Sequence, residues 1–268
     1  MDIRLLGTGA ADGIPGMFSD DEISRHARQY GGRDLRSRSC ALVDGHIQID
    51  LPPDIYMQLA REQIDARDWS ALLFTHGHDD HACISEIQYA LYPFVPDEYP
   101  GFAVYCSTQL ADRIWDYYPS WPLEVQRMQA FESYRHADVR ITPIYANHKE
   151  DEDSFNLILE RDGRKLLYAT DTGIYPDSTF EFLKGQGLNG LVIECTEGFH
   201  RSTYHGHLDI QDCLQVVERM RREGALASDA VVVTTHHGHE GGATHAQLEA
   251  ALAPHGLVPG YDGMVLSF

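Results

Sequence analysis

Hydrophobic positions along the chain fall into short dense runs separated by polar segments marked with glycine and proline. Runs with strand character occupy Ile3 to Leu6, Ala41 to Ile49, Leu72 to Thr75, Phe102 to Cys106, Val139 to Tyr145, Phe155 to Leu159, Leu166 to Thr170, Leu191 to Glu194, Ala230 to Thr235 and Met264 to Phe268, so a strand-rich protein is predicted. Helical spacing appears between them. Ile210, Cys213, Leu214, Val217 and Met220 recur at i, i+3, i+4, i+7 and make one apolar helix face. Weaker helices are predicted near Ile55 to Gln63, Ile84 to Tyr92, Gln109 to Tyr117, Phe180 to Lys184 and Ala246 to Leu252. Strands and helices alternating in both halves suit two sheets packed together with helices outside. No repeat or long linker divides the chain, and 268 residues, 43% of them hydrophobic, can bury one large core. Residues 1–268 are therefore expected to form one domain. Asp12 to Arg38 is irregular, and Tyr92 to Pro100 and Tyr117 to Pro122, rich in proline and aromatics, suit ordinary loops or lids around a pocket.

Charge narrows the partners. Acidic residues outnumber basic ones by 41 to 21, for a formal net charge of −20, so phosphate backbones are repelled except at a local basic patch. Nucleic acid is disfavoured. Cys40, Cys83, Cys106, Cys195 and Cys213 are scattered singly, which is neither a disulfide framework nor a cysteine zinc knuckle. No apolar run approaches the roughly 18 residues of a membrane-spanning helix. The opening Asp2-Ile3-Arg4-Leu5-Leu6 is strand-like rather than a secretory signal. A soluble, cytoplasmic protein with no membrane partner is expected.

Fifteen histidines change the picture, because imidazole is the commonest metal ligand and the acid–base group of neutral pH. Thr75-His76-Gly77-His78-Asp79-Asp80-His81 follows an apolar strand and precedes a predicted helix, which puts four ligand-type side chains on one turn. His76 and His78, two apart in an extended segment, project to the same side and need one more histidine for a three-nitrogen site; Asp80 and His81 can face a second metal. His148, Asp171 and His236 each follow a predicted strand, and strand ends can converge on one rim.

The Thr-His-x-His-x-Asp-His run, with isolated His, Asp and His at these separations, resembles the metallo-β-lactamase superfamily. That resemblance implies an α+β fold, an αββα sandwich of two mixed β-sheets flanked by helices with metals at one edge, and hydrolysis by a metal-bound hydroxide. Geometry and resemblance together divide the ligands into His76, His78 and His148 for one ion and Asp80, His81 and His236 for the other, with Asp171 bridging. A narrower resemblance spans nearly the whole chain. Residues Leu6 to Pro15, Gly31 to Ser39 and Gly260-Tyr261-Asp262-Gly263-Met264 are similar to PhnP-type phosphodiesterases, accessory enzymes of the carbon–phosphorus lyase pathway, which open a cyclic phosphate on ribose and cleave simple phosphodiesters. It implies two divalent ions, manganese or zinc, between which sequence does not choose. One departure concerns a structural zinc that the family holds with three cysteines after the first strand and a late histidine. Here that stretch reads Phe18-Ser19-Asp20-Asp21-Glu22-Ile23-Ser24, and His239, at the late position, is left out of the ligand set.

The expected function is a binuclear hydrolase acting on a small phosphodiester, a cyclic ribose phosphate among the candidates. Asp80 is both ligand and candidate base. His205, in Tyr204-His205-Gly206-His207-Leu208, matches the family's catalytic histidine and is assigned to leaving-group protonation or to the phosphoryl oxygen, with His207 the alternative. Asp79, Glu194 or Asp262 can accept the second imidazole proton of a metal-bound histidine; Asp79 is otherwise a surface charge. The glycines of Leu6-Gly7-Thr8-Gly9 lack the spacing of a nucleotide fingerprint and suit a tight turn. The competing readings are a tRNA 3′-processing endonuclease, opposed by the missing basic surface or arm, and a noncatalytic PqqB-like carrier, opposed by the intact ligand set; β-lactams and thioesters stay open as substrates, as does a homodimer.

Overall fold

Runs that are apolar at every position become strands covered on both faces. In the computed structural model, which describes residues 1–96, 100–149 and 151–268, they assemble into two seven-stranded sheets. The first contains β1 (Asp2–Gly7), β2 (Cys40–Val43), β3 (Ile47–Ile49), β4 (Ala71–Leu73), β5 (Ala103–Cys106) and β6 (Glu124–Arg127), with β14 (Met264–Ser267) outside β1. The second contains β7 (Tyr134–His136), β8 (Val139–Tyr145), β9 (Phe155–Arg161), β10 (Arg164–Ala169), β11 (Leu188–Glu194), β12 (Leu226–Thr235) and β13 (Leu257–Pro259), ordered as in the chain. Each sheet is antiparallel on one side, β14 to β3 and β7 to β10, and parallel on the other, β3 to β6 and β10 to β13.

The layers follow from the two-residue period. Along β10, Leu166 and Tyr168 enter the core between the sheets, with Leu5, Val43, Leu73 and Phe155. Leu167 and Ala169 face outward onto α4 (Asp177–Leu183), α5 (Ile210–Arg222) and α6 (His245–Leu252) through Phe180, Val217 and Leu248. Leu72 and Val104 of the first sheet meet α2 (Ile55–Glu62) and α3 (Thr108–Tyr117) in the same way through Ile55, Leu110 and Ile114. Helix, sheet, sheet and helix therefore stack in the expected αββα order. Among the described residues no helix is long and apolar enough to cross a membrane.

Some local expectations change. The run 41–49 is a hairpin, β2 and β3, folded at Asp44-Gly45, where φ is 50° and 76°. The stretch 12–38 contains a helix, α1 (Glu22–Tyr30), capped by Asp21, whose carboxylate accepts from Ser24 N. Residues 84–90 form a 3-10 turn rather than an α-helix. The short strands β6, β7 and β13 were not foreseen; β6 lies at a sheet edge, with Glu124, Gln126 and Arg127 exposed.

The segment after β1 joins the two sheets. Thr8 O accepts from His237 N at 2.8 Å, Ala10 N donates to His237 O at 3.0 Å, and Gly9 N donates to Ser37 O at 2.7 Å. A Cβ at Gly7 would lie 1.9 Å from Arg38 O. Close approach of backbones thus accounts for that glycine.

Candidate metal centre

β10, β11 and β12 run parallel, and β8 runs in the same direction as β10, so their C-terminal ends open on one rim, where open sheets of this kind place their chemistry. His148 follows β8, Asp171 follows β10, Glu194 ends β11 and His236 follows β12. The turn after β4 brings His76, His78, Asp80 and His81 to them from the other sheet.

The seven predicted ligands form two adjoining groups. His78 Nδ1 lies 3.0 Å from His76 Nε2 and 3.1 Å from His148 Nε2. Three nitrogens this close repel one another unless a proton or a cation lies among them. In the second group, His81 Nε2 is 3.2 Å from Asp80 Oδ2 and 3.4 Å from His236 Nε2. Asp171 faces both groups: Oδ1 is 3.6 Å from His148 Nε2, while Oδ2 is 3.0 Å from His81 Nε2 and 3.2 Å from His236 Nε2.

The charge states suit cations. Burial, with His81 adding to it, pushes the His76 imidazole well below its ordinary pKa, which favours the neutral form that binds a metal. Burial opposes ionisation of Asp80 and Asp171, yet His81 and His236 hold both carboxyls well below their usual range. Burial also opposes charge on His81, and Asp171, Asp80 and Asp50 overcome it and push its pKa well up. The carboxylates of the second group thus favour a positive charge among them, carried by a proton on His81 or by a divalent ion that displaces it, and imidazoles beside carboxylates are donors that ions of the zinc and manganese type take. The residues fit such ions.

The backbone is strained here. Asp171, His236 and Asp50 have φ of 51°, 53° and 60°, a left-handed conformation that costs a non-glycine residue on the order of 1 kcal/mol or more and concentrates at functional sites.

Three of the imidazoles are also held from behind, as metal-bound histidines usually are. His81 Nδ1 donates to Asp50 at 2.8 Å, and Asp50 accepts from Thr75 N at 2.8 Å and from Thr75 Oγ1. His148 Nδ1 donates to Gly206 O at 3.0 Å, and His236 Nδ1 bonds with Thr196 Oγ1 at 2.8 Å. Sequence reasoning missed Asp50; its signal is a carboxylate just past the apolar strand β3, the same placement as Asp171.

Of the carboxylates expected to orient ligand histidines, Glu194 lies beside the site but its histidine partner is His207, outside the ligand set. Glu194 is fully buried and accepts from Thr172 N at 2.6 Å, Leu208 N at 3.0 Å, Thr196 Oγ1 at 2.6 Å and His207 Nδ1 at 2.8 Å. Asp262 instead accepts from Thr8 Oγ1, Ser37 and Arg61, so it fastens loops rather than a ligand histidine. Asp79 is an exposed charge paired with Arg113 at 2.8 Å. His239 stands between Asp12 at 2.7 Å and Asp21 at 2.9 Å.

A cleft of about 660 Å³ opens over the ligands. Among the described residues its walls come from residues 10–12, 196–204 and 238–241 together with His78, Asp80, His148, Asp171, His207 and His236. The expected lids lie elsewhere: Phe94 and Val95 line an apolar groove with Tyr56 and Trp69, residues 97–99 fall outside the described residues, and 117–122 do not reach the cleft. His207 lines the cleft and stacks on His236, with ring centroids 5.4 Å apart. Burial works against its charged form, but Glu194 outweighs it and the pKa is pushed up to about 9. His205 is exposed and does not line the cleft; its backbone oxygen packs against Gly173, where a Cβ would lie 1.8 Å away.

A family model of the β-lactamase superfamily domain matches residues 46–237, a span that takes in all seven ligand-type side chains. The chain belongs to the metallo-β-lactamase superfamily. Solved structures share this superfamily fold over its whole length: a diphosphatase from the PhnP family (22% identity, TM-score 0.79, covering 100% of this chain and 97% of that one); zinc-bound PqqB from Methylobacterium extorquens (16%, 0.78, 100% of both); and human tRNase Z, short form (18%, 0.67, 100% and 99%). At these identities the likeness is one of fold. No curated protein matches the chain in sequence.

Proposed function

We propose that this superfamily member is a two-metal hydrolase that cleaves a small phosphodiester. The observation that carries the reading is Asp171, one carboxylate set between two nitrogen groups. His76, His78 and His148 would hold one divalent ion, Asp80, His81 and His236 the other, with Asp171 shared. Two such ions supply Lewis acidity, lowering the pKa of water and neutralising charge on a phosphoryl oxygen. Manganese and zinc both suit the donors.

The protein's own groups do the rest. Asp80, a carboxylate that lines the cleft, is placed to orient water. His207 suits leaving-group protonation better than His205: Glu194 fixes its Nδ1, leaves Nε2 for the cleft that the ring lines, and favours the charged form. Glu194 is itself held by two backbone N–H groups and Thr196, so the ring has little freedom to turn.

Phosphorus is favoured because the PhnP resemblance extends beyond the metal ligands to the segments after β1 and before β14. A cleft of about 660 Å³ suits a small molecule, and a net charge of −20 disfavours a tRNA. The metal-loaded protein should be assayed with bis(p-nitrophenyl) phosphate, a ribose 1,2-cyclic phosphate, precursor tRNA, a β-lactam and a thioester. Turnover of the two small phosphodiesters is expected, the cyclic sugar preferred. Turnover of the lactam, the thioester or tRNA without the small diesters would overturn the substrate class, and binding without turnover of any would point to a carrier.

A further inference from the structure

The carboxylate of Glu152 lies against the turn that carries four of the ligands. Glu152 follows His148 in the same loop, and its side chain is only 5% exposed. Both oxygens are engaged: Oε1 accepts from Ser107 Oγ at 2.6 Å and Oε2 from Lys149 Nζ at 3.1 Å. Ser107 is itself fixed, because it caps α3 by accepting from Leu110 N at 3.1 Å. The carboxylate rests on Gly77, between His76 and His78. A Cβ at position 77 would lie 2.4 Å from Oε2, 3.0 Å from Oε1 and 3.1 Å from Cδ. The same turn is also held by Arg113 of α3, which donates to Gly77 O at 2.5 Å and to Ala82 O at 3.1 Å.

Two ligands of one proposed ion, His76 and His78, thus flank a glycine, and the third, His148, precedes the lysine that pairs with the carboxylate filling that glycine's empty side. We infer that Glu152 is a positioning residue for the His76, His78 and His148 half of the centre. Through Lys149 it fastens the His148 loop, and through Gly77 it sets how near that loop comes to the ligand turn. Gly77 is the residue that makes room for it. The second half, Asp80, His81 and His236, takes its support from Asp50 and Thr196; Asp50 also reaches His76 through Thr75 Oγ1, but Glu152 touches only the first half's turn and loop. The inference rests on the two-metal reading.

The test titrates metal-free protein with zinc against a competing chelator, resolves the two binding steps, and records the thermal midpoint of each metal-free variant. Glu152→Ala should weaken one of the two steps about 10- to 100-fold, the range for loss of a group that supports a ligand, and change the other step much less. Gly77→Ala should weaken the same step. The double variant should be no weaker than Gly77→Ala alone, because the clash is removed with the carboxylate. Glu152→Gln keeps the shape and the Ser107 contact but turns an amide NH2 towards Lys149, so it should recover only part of the affinity. Wild-type affinity at both steps in Glu152→Ala would overturn the inference. So would equal weakening of both steps with a lowered midpoint, or losses that add in the double variant. Wild-type protein that binds fewer than two ions would overturn the two-metal reading, and with it this inference.

Discussion

Replacing His207 by alanine separates proton delivery from metal binding. His207 contacts Glu194 through Nδ1 at 2.8 Å; it lies within 4.8 Å of ligand atoms of His148, Asp171 and His236 but takes no part in the nitrogen contacts of 3.0–3.4 Å within the two metal groups, so the variant should keep both ions. A positioned general acid contributes about 10²- to 10⁴-fold, equivalent to roughly 3–5 kcal/mol of activation free energy. The whole of that loss should appear only where the leaving oxygen needs a proton. With a sugar or alkyl diester, kcat/KM should fall by about 10²-fold or more. With bis(p-nitrophenyl) phosphate, whose leaving group departs as a stable anion, the loss should be much smaller, and added imidazole should restore part of the rate on the poor leaving group. His205→Ala is the matched control: its exposed ring, away from the cleft, predicts wild-type rates on both substrates. Metal content and kcat/KM on the two substrates decide the matter. Equal losses on both, or lost metal, would refute the assignment of His207 as the acid; loss of turnover in His205→Ala with its metals retained would return the role to His205.

Two further outcomes follow from the same geometry. Asp171→Ala removes the one ligand shared by both groups, so elemental analysis after dialysis should find neither ion held and no turnover; a variant that keeps one ion and hydrolyses would show that Asp171 does not bridge. Burial, with Arg36 donating to Nδ1 at 3.0 Å and Arg33 nearby, holds the His245 pKa down to about 4. The unfolded chain takes up that proton near pH 6.5 and the folded chain does not, so this contribution is complete above about 6.5 and is lost as pH falls towards about 4. It amounts to at most about 3 kcal/mol, and His245→Gln should flatten the pH dependence of urea unfolding in that window; an unchanged slope would contradict it.

What sequence made legible was decided by how local each signal is. Strands such as β10 and β11 bury both faces and so appear as continuous apolar runs. The ligand turn packs four candidate side chains into six residues, and His148, Asp171 and His236 stand at the ends of such runs. Asp50 carries no local pattern, since its role exists only through contact with His81, 31 residues away. Which histidine of the His205-Gly206-His207 pair meets the cleft depends likewise on Glu194, at the end of a separate strand. Helix α1 buries only Ile23, Ser24 and Ala27, too small and mixed a face to stand out within a charged stretch. The hairpin turn at Asp44-Gly45 is a standard two-residue signal, hidden because the apolar run continues on both sides.

One cleft is expected to hold a pair of metal ions. Elemental analysis of the purified chain, reconstituted with zinc or manganese and dialysed, tests it most directly. Two ions per chain are expected, bound more weakly as pH falls because a proton on His81 competes for the same site. A chain that retains no metal under any of these conditions would contradict it.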